Sequence, residues 1–298
     1  MFNFSISIIS VNYRNPILLI ESIRKSINIL NKFNELNYEF IIVDNFSNDD
    51  SEEIIRKFCK SYKNIRLVLS NKNGGFGYGC NLGALNSNYN TLWMLNSDAW
   101  IEELNCLKKL YELINNKQIG LIGTSVLLEN NVPTPQGGGE CSFNYLLLSS
   151  FRLGYIFRSL PENIRILVMK VLKNFNSNYF RALKHHENNK PYYSNSIGGC
   201  SFLLRKNLYK KINGFDEKFF LYDEDGDLSK RIQDLGFKNI IFPQITVKTI
   251  NSSTTSKLNS IKLKLIKRKS RIRLIKKHFT FIKKLILILV TEITWIFL

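Results

Sequence analysis

Short apolar runs and amphipathic stretches alternate along the first third of the chain. Phe2 to Val11 alternates like a strand, and Tyr38 to Val43, Ile65 to Ser70 and Thr91 to Leu95 are apolar runs of strand length. Between them, Pro16 to about Phe33, Glu52 to Tyr62 and Tyr78 to about Ser87 carry helical spacing, and Pro16 suits a first helical turn. This rhythm predicts an α/β fold with a mostly parallel sheet and helices on both faces. In such sheets the loops at the strands' carboxyl ends form the binding crevice. The loops after Val11, Val43, Ser70 and Leu95 are the polar ones here.

The pattern beyond residue 100 is less regular. Gly120 to Leu128, Ser196 to Arg205 and Ile240 to Phe242 read as strands. Glu162 to Phe175, Lys206 to Ile212 and Asp227 to Leu235 read as helices, the last capped by Asp227. Phe143 to Lys190 otherwise mixes aromatic and basic residues without a period. In the tail, Leu258, Ile261, Leu265, Ile272, Ile275, Phe279, Ile282, Ile286 and Leu289 recur at helical spacing, interrupted by Arg268. The apolar end from Leu285 contains Glu292 and is too short to span a bilayer, so it is expected to lie in the membrane interface. The expected organisation is one α/β unit over 1–256, with halves 1–100 and 101–256, and a membrane-associating tail over 257–298.

Charge sharpens that division. The chain of 298 residues carries a formal charge of +18. Lys257 to Leu298 holds twelve Lys/Arg against Glu292, so +11 of that charge lies in the tail. The basic residues alternate with aliphatic ones and no stacking-aromatic pattern accompanies them, which argues against a nucleic-acid binder. Five scattered cysteines without CxxC spacing favour neither a zinc site nor a disulfide framework. The start of the chain has neither a basic n-region nor a small-residue cleavage site, so the expected setting is cytoplasmic.

Several stretches carry candidate chemistry. Gly214 to Leu228 sets a run of carboxylates among Phe215, Phe219, Phe220 and Tyr222. Carboxylates held against apolar rings have altered proton affinity, which suits a general base, although Glu224, Asp225 and Asp227 also read as first-turn acids of a helix. Asn73 to Gly83 is Gly-rich but is not GxGxxG. Its glycines allow close backbone approach to a ligand or simply a flexible turn. Asp44 at a strand end either binds a base or ribose or caps the next turn. Asn96-Ser97-Asp98 either presents a cation-binding carboxylate or ends a strand. His185-His186 reads as a solvated pair.

Taken in order, these pieces resemble the family-2 glycosyltransferases of GT-A fold, with the bacterial rhamnosyltransferase-like branch the nearest match. The pieces are Ser10-Val11-Asn12-Tyr13, Val43-Asp44-Asn45-x-Ser47, Asn73-x-Gly75-Phe76, Asn81-x-Gly83, Leu95-Asn96-Ser97-Asp98 and Gly214-Phe215-Asp216-Glu217 through Arg231. The resemblance implies inverting transfer from a nucleoside diphosphate sugar, dTDP- or UDP-linked, with rhamnose the leading sugar. It implies Asp225 as base, assisted by Glu224. It places Val11, Asn12, Tyr13 and Asp44 at the nucleoside, and Asn73, Gly75, Asn81 and Asn96 along the donor. Asp98 would hold a divalent cation, Mg²⁺ or Mn²⁺. Gly198, Gly199 and Tyr222 would border the acceptor, a growing surface polysaccharide or polyprenyl-linked glycan at the inner face of the cytoplasmic membrane. Lys248 stands where the family often has a metal-side His, and a protonated lysine cannot ligate metal. It is expected at the diphosphate instead, which leaves a catalytically weak sugar-nucleotide or glycan binder as the alternative.

Overall fold

The computed structural model describes residues 3–134, 141–150, 190–250 and 260–296. The first half follows the expected rhythm. β1 (Phe4–Asn12), α1 (Pro16–Leu30), β2 (Leu36–Asp44), α2 (Ser51–Cys59), β3 (Ile65–Leu69), α3 (Phe76–Leu85) and β4 (Thr91–Leu95) form a parallel block in the order β3-β2-β1-β4. Every residue of β4 is buried, as a strand covered on both faces requires. In α1, Pro16 occupies the first turn, and Leu19, Ile23, Ile27 and Leu30 repeat at the spacing that lays one face on the sheet.

The remaining elements are β5 (Ala99–Leu104), α4 (Leu107–Asn115), β6 (Ile119–Leu128), α5 (Phe143–Ser150), β7 (Tyr192–Tyr193), β8 (Ser201–Arg205), α6 (Lys206–Lys211), α7 (Glu224–Asp234), β9 (Lys238–Thr249), α8 (Ser260–His278) and α9 (Phe281–Ile296). The sheet continues past β4 as β8-β6-β9-β5, with β8 antiparallel to β4. It is therefore mixed, with the expected parallel block β3-β2-β1-β4 extended by strands of both directions. β5 and α4 have no counterpart in the sequence-based assignment. The expected helix over Glu162 to Phe175, the His185-His186 pair and the 256/257 boundary lie outside the described residues.

Three elements differ from expectation for physical reasons. β9 is longer than Ile240 to Phe242 because it runs through Pro243: its pairing with β6 skips from Phe242 to Thr246, where the register shifts. α7 begins at Glu224, so Asp227 is an interior residue and Asp223 occupies the cap position. The tail is two helices. α8 ends at His278, whose Nε2 lies 2.7 Å from Asp227 Oδ1, and the chain restarts at Phe281.

The tail also packs on the domain. Leu274, Ile275 and Leu287 close a small apolar cluster with Cys141, Leu146 and Phe219. Arg273 donates to both oxygens of Asp216 at 2.9 and 2.7 Å, and Lys277 reaches Asp216 at 2.8 Å and Asp227 at 2.7 Å. No helix among the described residues is long and apolar enough to cross a membrane.

Candidate active site

A cavity of about 390 Å³ opens at the carboxyl ends of β1, β2 and β4. Its floor and one wall include Val11, Tyr13, Asn45, Asn73, Gly75 and Phe76, with Asn96, Ser97 and Asp98 from the turn after β4. Its other wall is Gly199, Cys200, Phe220, Leu221, Tyr222 and Glu224, with Lys262 and Ile266 reaching in from α8. The crevice thus forms where strand order predicts it, at the point where β1 separates β2 from β4.

The turn after β4 is tight. Asn96 N–H donates to the Cys200 carbonyl at 2.9 Å and Ala99 N–H to the Asn96 carbonyl at 3.1 Å, which fixes Asp98 on the rim. Asp44 lies one residue behind the lining. Its carboxylate accepts from Asn12 Nδ2 (2.7 Å), Ser47 Oγ (2.5 Å) and Ser47 N–H (3.1 Å). These bonds brace the loop after β2, so that Asn45 faces the cavity and donates to the Gly75 carbonyl at 3.0 Å.

Gly75 holds the two walls together. It has φ of 88°, and a Cβ there would lie 1.9 Å from the Phe220 carbonyl oxygen. The Phe76 N–H donates to that same carbonyl at 3.2 Å. Glycine is required because only it accepts this backbone angle and this approach together.

Glu224 and Asp225 open α7. Asp225 Oδ2 accepts from Gly199 N–H at 3.0 Å and Oδ1 from Gly226 N–H at 2.8 Å. Burial, reinforced by the Asp223 carboxylate, pushes Asp225 up to about 6. Glu224 is buried, and its Oε2 has no hydrogen-bond partner among the described residues. Burial and then Asp225 push its proton affinity well above the usual carboxylate range. Both adjacent carboxyls are therefore raised, Glu224 by burial and then Asp225, and Asp225 by burial and then Asp223.

The geometry gathers Val11, Tyr13, Asn73, Gly75, Asn96, Asp98, Gly199, Tyr222 and Glu224 on one cavity, with Asp225 against Gly199 at its edge. Asn12, Asp44 and Gly198 are outside the lining. Asn81 lies farther off, where it donates to the Phe215 carbonyl and Glu217 (3.0 Å each) and accepts from Tyr209 and Phe215 N–H. It latches α3 to the 214–217 turn. Lys248 also points elsewhere: its Nζ lies 2.9 Å from Glu102 Oε1 on β5, and this bond draws the Glu102 carboxyl down. Lys262, Ile266 and Cys200 were not foreseen at the site. No local motif marks the first two, since they belong to a uniformly basic and aliphatic run.

The family described as Glycosyl transferase family 2 matches residues 7–174. The chain belongs to that family. A second description, N-terminal domain of galactosyltransferase, matches residues 181–257. The chain is similar to "Probable glycosyltransferase YdaM" of Bacillus subtilis (strain 168), at 20% identity over 241 residues, covering 80% of this chain and 49% of that protein. It therefore spans about half the length of that relative. GalNAc-T7, crystallised with UDP, GalNAc and Mn²⁺, shares the fold at a TM-score of 0.61 and 15% identity, over 91% of this family-2 chain and 47% of its own. The mannosyltransferase PcManGT from Pyrobaculum calidifontis, in complex with GDP-Man and Mn²⁺, does so at 0.57 and 11% identity, over 97% and 73%. S. aureus TarS 1-349 in complex with UDP-GlcNAc does so at 0.54 and 13%, over 97% and 72%. These likenesses establish the GT-A fold.

Proposed function

We propose that this family-2 chain transfers a sugar from a nucleoside diphosphate donor to an acceptor hydroxyl, with inversion at the anomeric carbon. The observation that carries this reading is Asp225, held by two backbone amides at the cavity edge with proton affinity raised to about 6. Asp225 takes the proton of the acceptor hydroxyl. The freed oxygen attacks the anomeric carbon from the face opposite the diphosphate, and the bond to the diphosphate oxygen breaks with its electron pair leaving on phosphate. The wall of Val11, Tyr13, Asn45 and Asn73 is the donor side, and Gly199, Phe220 and Tyr222 form the acceptor side.

A divalent cation fits one part of this site. Among the described residues no three His, Cys, Asp or Glu side chains cluster as ligands. Asp98 with the side-chain oxygens of Asn96 and Ser97 would offer hard donors, which suit Mg²⁺ or Mn²⁺ completed by diphosphate and water, not an all-protein cage. Bound there, the cation would neutralise charge on the departing diphosphate. The GalNAc-T7 structure, which holds UDP, GalNAc and Mn²⁺, and the PcManGT structure, in complex with GDP-Man and Mn²⁺, support that reading.

dTDP-rhamnose is the leading donor and UDP-linked hexose or galactofuranose the next. The acceptor is a growing surface polysaccharide or polyprenyl-linked glycan, met at the cytoplasmic face of the membrane. A thermal-shift screen of these sugar nucleotides, with and without Mg²⁺ or Mn²⁺, tests donor and cation together. Stabilisation by none of them rejects the assignment. The sparse ligand set favours one second reading, a binder that retains the donor without turning it over. Donor hydrolysis or transfer under the same conditions excludes it.

A further inference from the structure

The segment that delivers the active-site helix is strained. Tyr222 and Asp223 have φ of 69° and 61°, two successive non-glycine residues in left-handed backbone. Such residues carry backbone strain and persist only where their surroundings hold them. Here one turn of α8 does the holding. Arg271 donates to both Asp223 oxygens, Nε to Oδ2 at 2.9 Å and Nη2 to Oδ1 at 3.1 Å, while its Nη1 donates to Ser149 Oγ of α5 at 2.9 Å. The adjacent Ser270 Oγ donates to the Leu221 carbonyl at 2.7 Å. Asp223 is buried, and the chain passes from it directly into Glu224 and Asp225.

We propose that Arg271 is a positioning residue of this transferase: by gripping Asp223 it fixes the turn that places Asp225 against Gly199, which makes α8 a working part of the active site. This rests on the reading of Asp225 as base. A planar guanidinium fork suits a buried carboxylate better than a lysine does, because it holds direction as well as charge.

The electrostatics agree. After burial, the Asp223 carboxylate is the next influence raising Asp225, and Arg271 is paired with that carboxylate. Asp225 also meets Glu224 on the same turn and the Gly199 and Gly226 amides, while Asp98 and Lys262 line the adjoining cavity. On the far side of α7, Asp227 is matched by Arg231, Lys277 and His278. Removing the Arg271 charge therefore leaves Asp223 as the altered neighbour.

The test is a double-mutant cycle on the full chain: Arg271→Gln, Asp223→Asn and the pair together. The readout is the Asp225 carboxyl titration by NMR of ¹³C-labelled aspartate, its signal assigned with Asp225→Asn. Arg271→Gln is expected to raise the midpoint by about one pH unit and Asp223→Asn to lower it, with the double variant returning towards wild type, as coupled neighbours do. If Arg271→Gln does not fold, the double variant, which buries no unmatched charge, carries the comparison with Asp223→Asn. Identical Asp225 midpoints in the folded variants would overturn the proposal. The base assignment is judged separately: wild-type turnover by Asp225→Asn would reject it and leave the titration result standing.

Discussion

At the residue scale, Glu224 and Asp225 are neighbours in sequence but not in environment. Asp225 has two amide donors and Glu224 has a buried oxygen without one. A base must be deprotonated to work, and the Asp225 affinity is raised to about 6. Transfer is therefore expected to rise with pH through about 6 and to level above it, which kcat/KM measured against pH checks. Asp225→Asn removes the proton acceptor, with an expected loss of about 10²–10⁴-fold in kcat. Gly75→Ala drives a Cβ into the Phe220 carbonyl. It is expected to cost roughly 1–3 kcal/mol of stability, read in urea, and to weaken donor binding. The sequence makes the acids and glycines visible because their types are unusual at strand ends. It does not show that Asn81 and Lys248 bond away from the cavity, because that depends on partners 128 to 146 positions distant.

At the element scale, the basic helix and the acidic turn hold each other. Burial alone would raise the carboxyls of Asp216 and Asp227. For Asp216, hydrogen bonds from Lys277 and Arg273 outweigh it and bring the affinity well below the usual range; for Asp227, the His278 hydrogen bond and the Arg231 charge lower it. Stability from such depressed groups is present above the ordinary carboxylate value and is lost as pH falls below it. Acid is therefore expected to undock α8 and α9 before the sheet melts. Limited proteolysis at falling pH, with mass spectrometry of the fragments, checks the order. The elements up to β4 were legible because period and strand length agree there. β5 and α4 were not assigned: Ala99–Leu104 does not alternate as a half-buried strand does, and nothing beyond it fixes where the next element starts. The docking of α8 was missed because periodicity reports an amphipathic face and not what covers it. The one available clue was that acids at 216–227 complement bases at 267–277.

On the scale of the whole molecule, the tail has two faces. Arg271, Arg273 and Lys277 are turned inward on carboxylates, while Phe281, Ile282, Leu285 and Leu289 of α9 are exposed beside Lys283 and Lys284. Our membrane proposal rests on that outer face. Vesicle binding is expected to need anionic lipid, at about 1 kcal/mol for each basic residue near the surface. Its salt dependence should be shallower than a tail charge of +11 suggests, because part of that charge is already matched. Leu285→Glu with Leu289→Glu is expected to abolish co-sedimentation with such vesicles and to leave turnover of a soluble acceptor intact.

The contact of Gly75 and Phe76 with the Phe220 carbonyl joins two loops that our proposal puts on the nucleotide and acceptor sides. On that reading, one carbonyl couples the two sides. Kinetically this favours a compulsory sequence in which the sugar nucleotide binds first and its spent diphosphate departs last. Product-inhibition patterns would display that sequence directly: competitive against the donor, and noncompetitive against the acceptor.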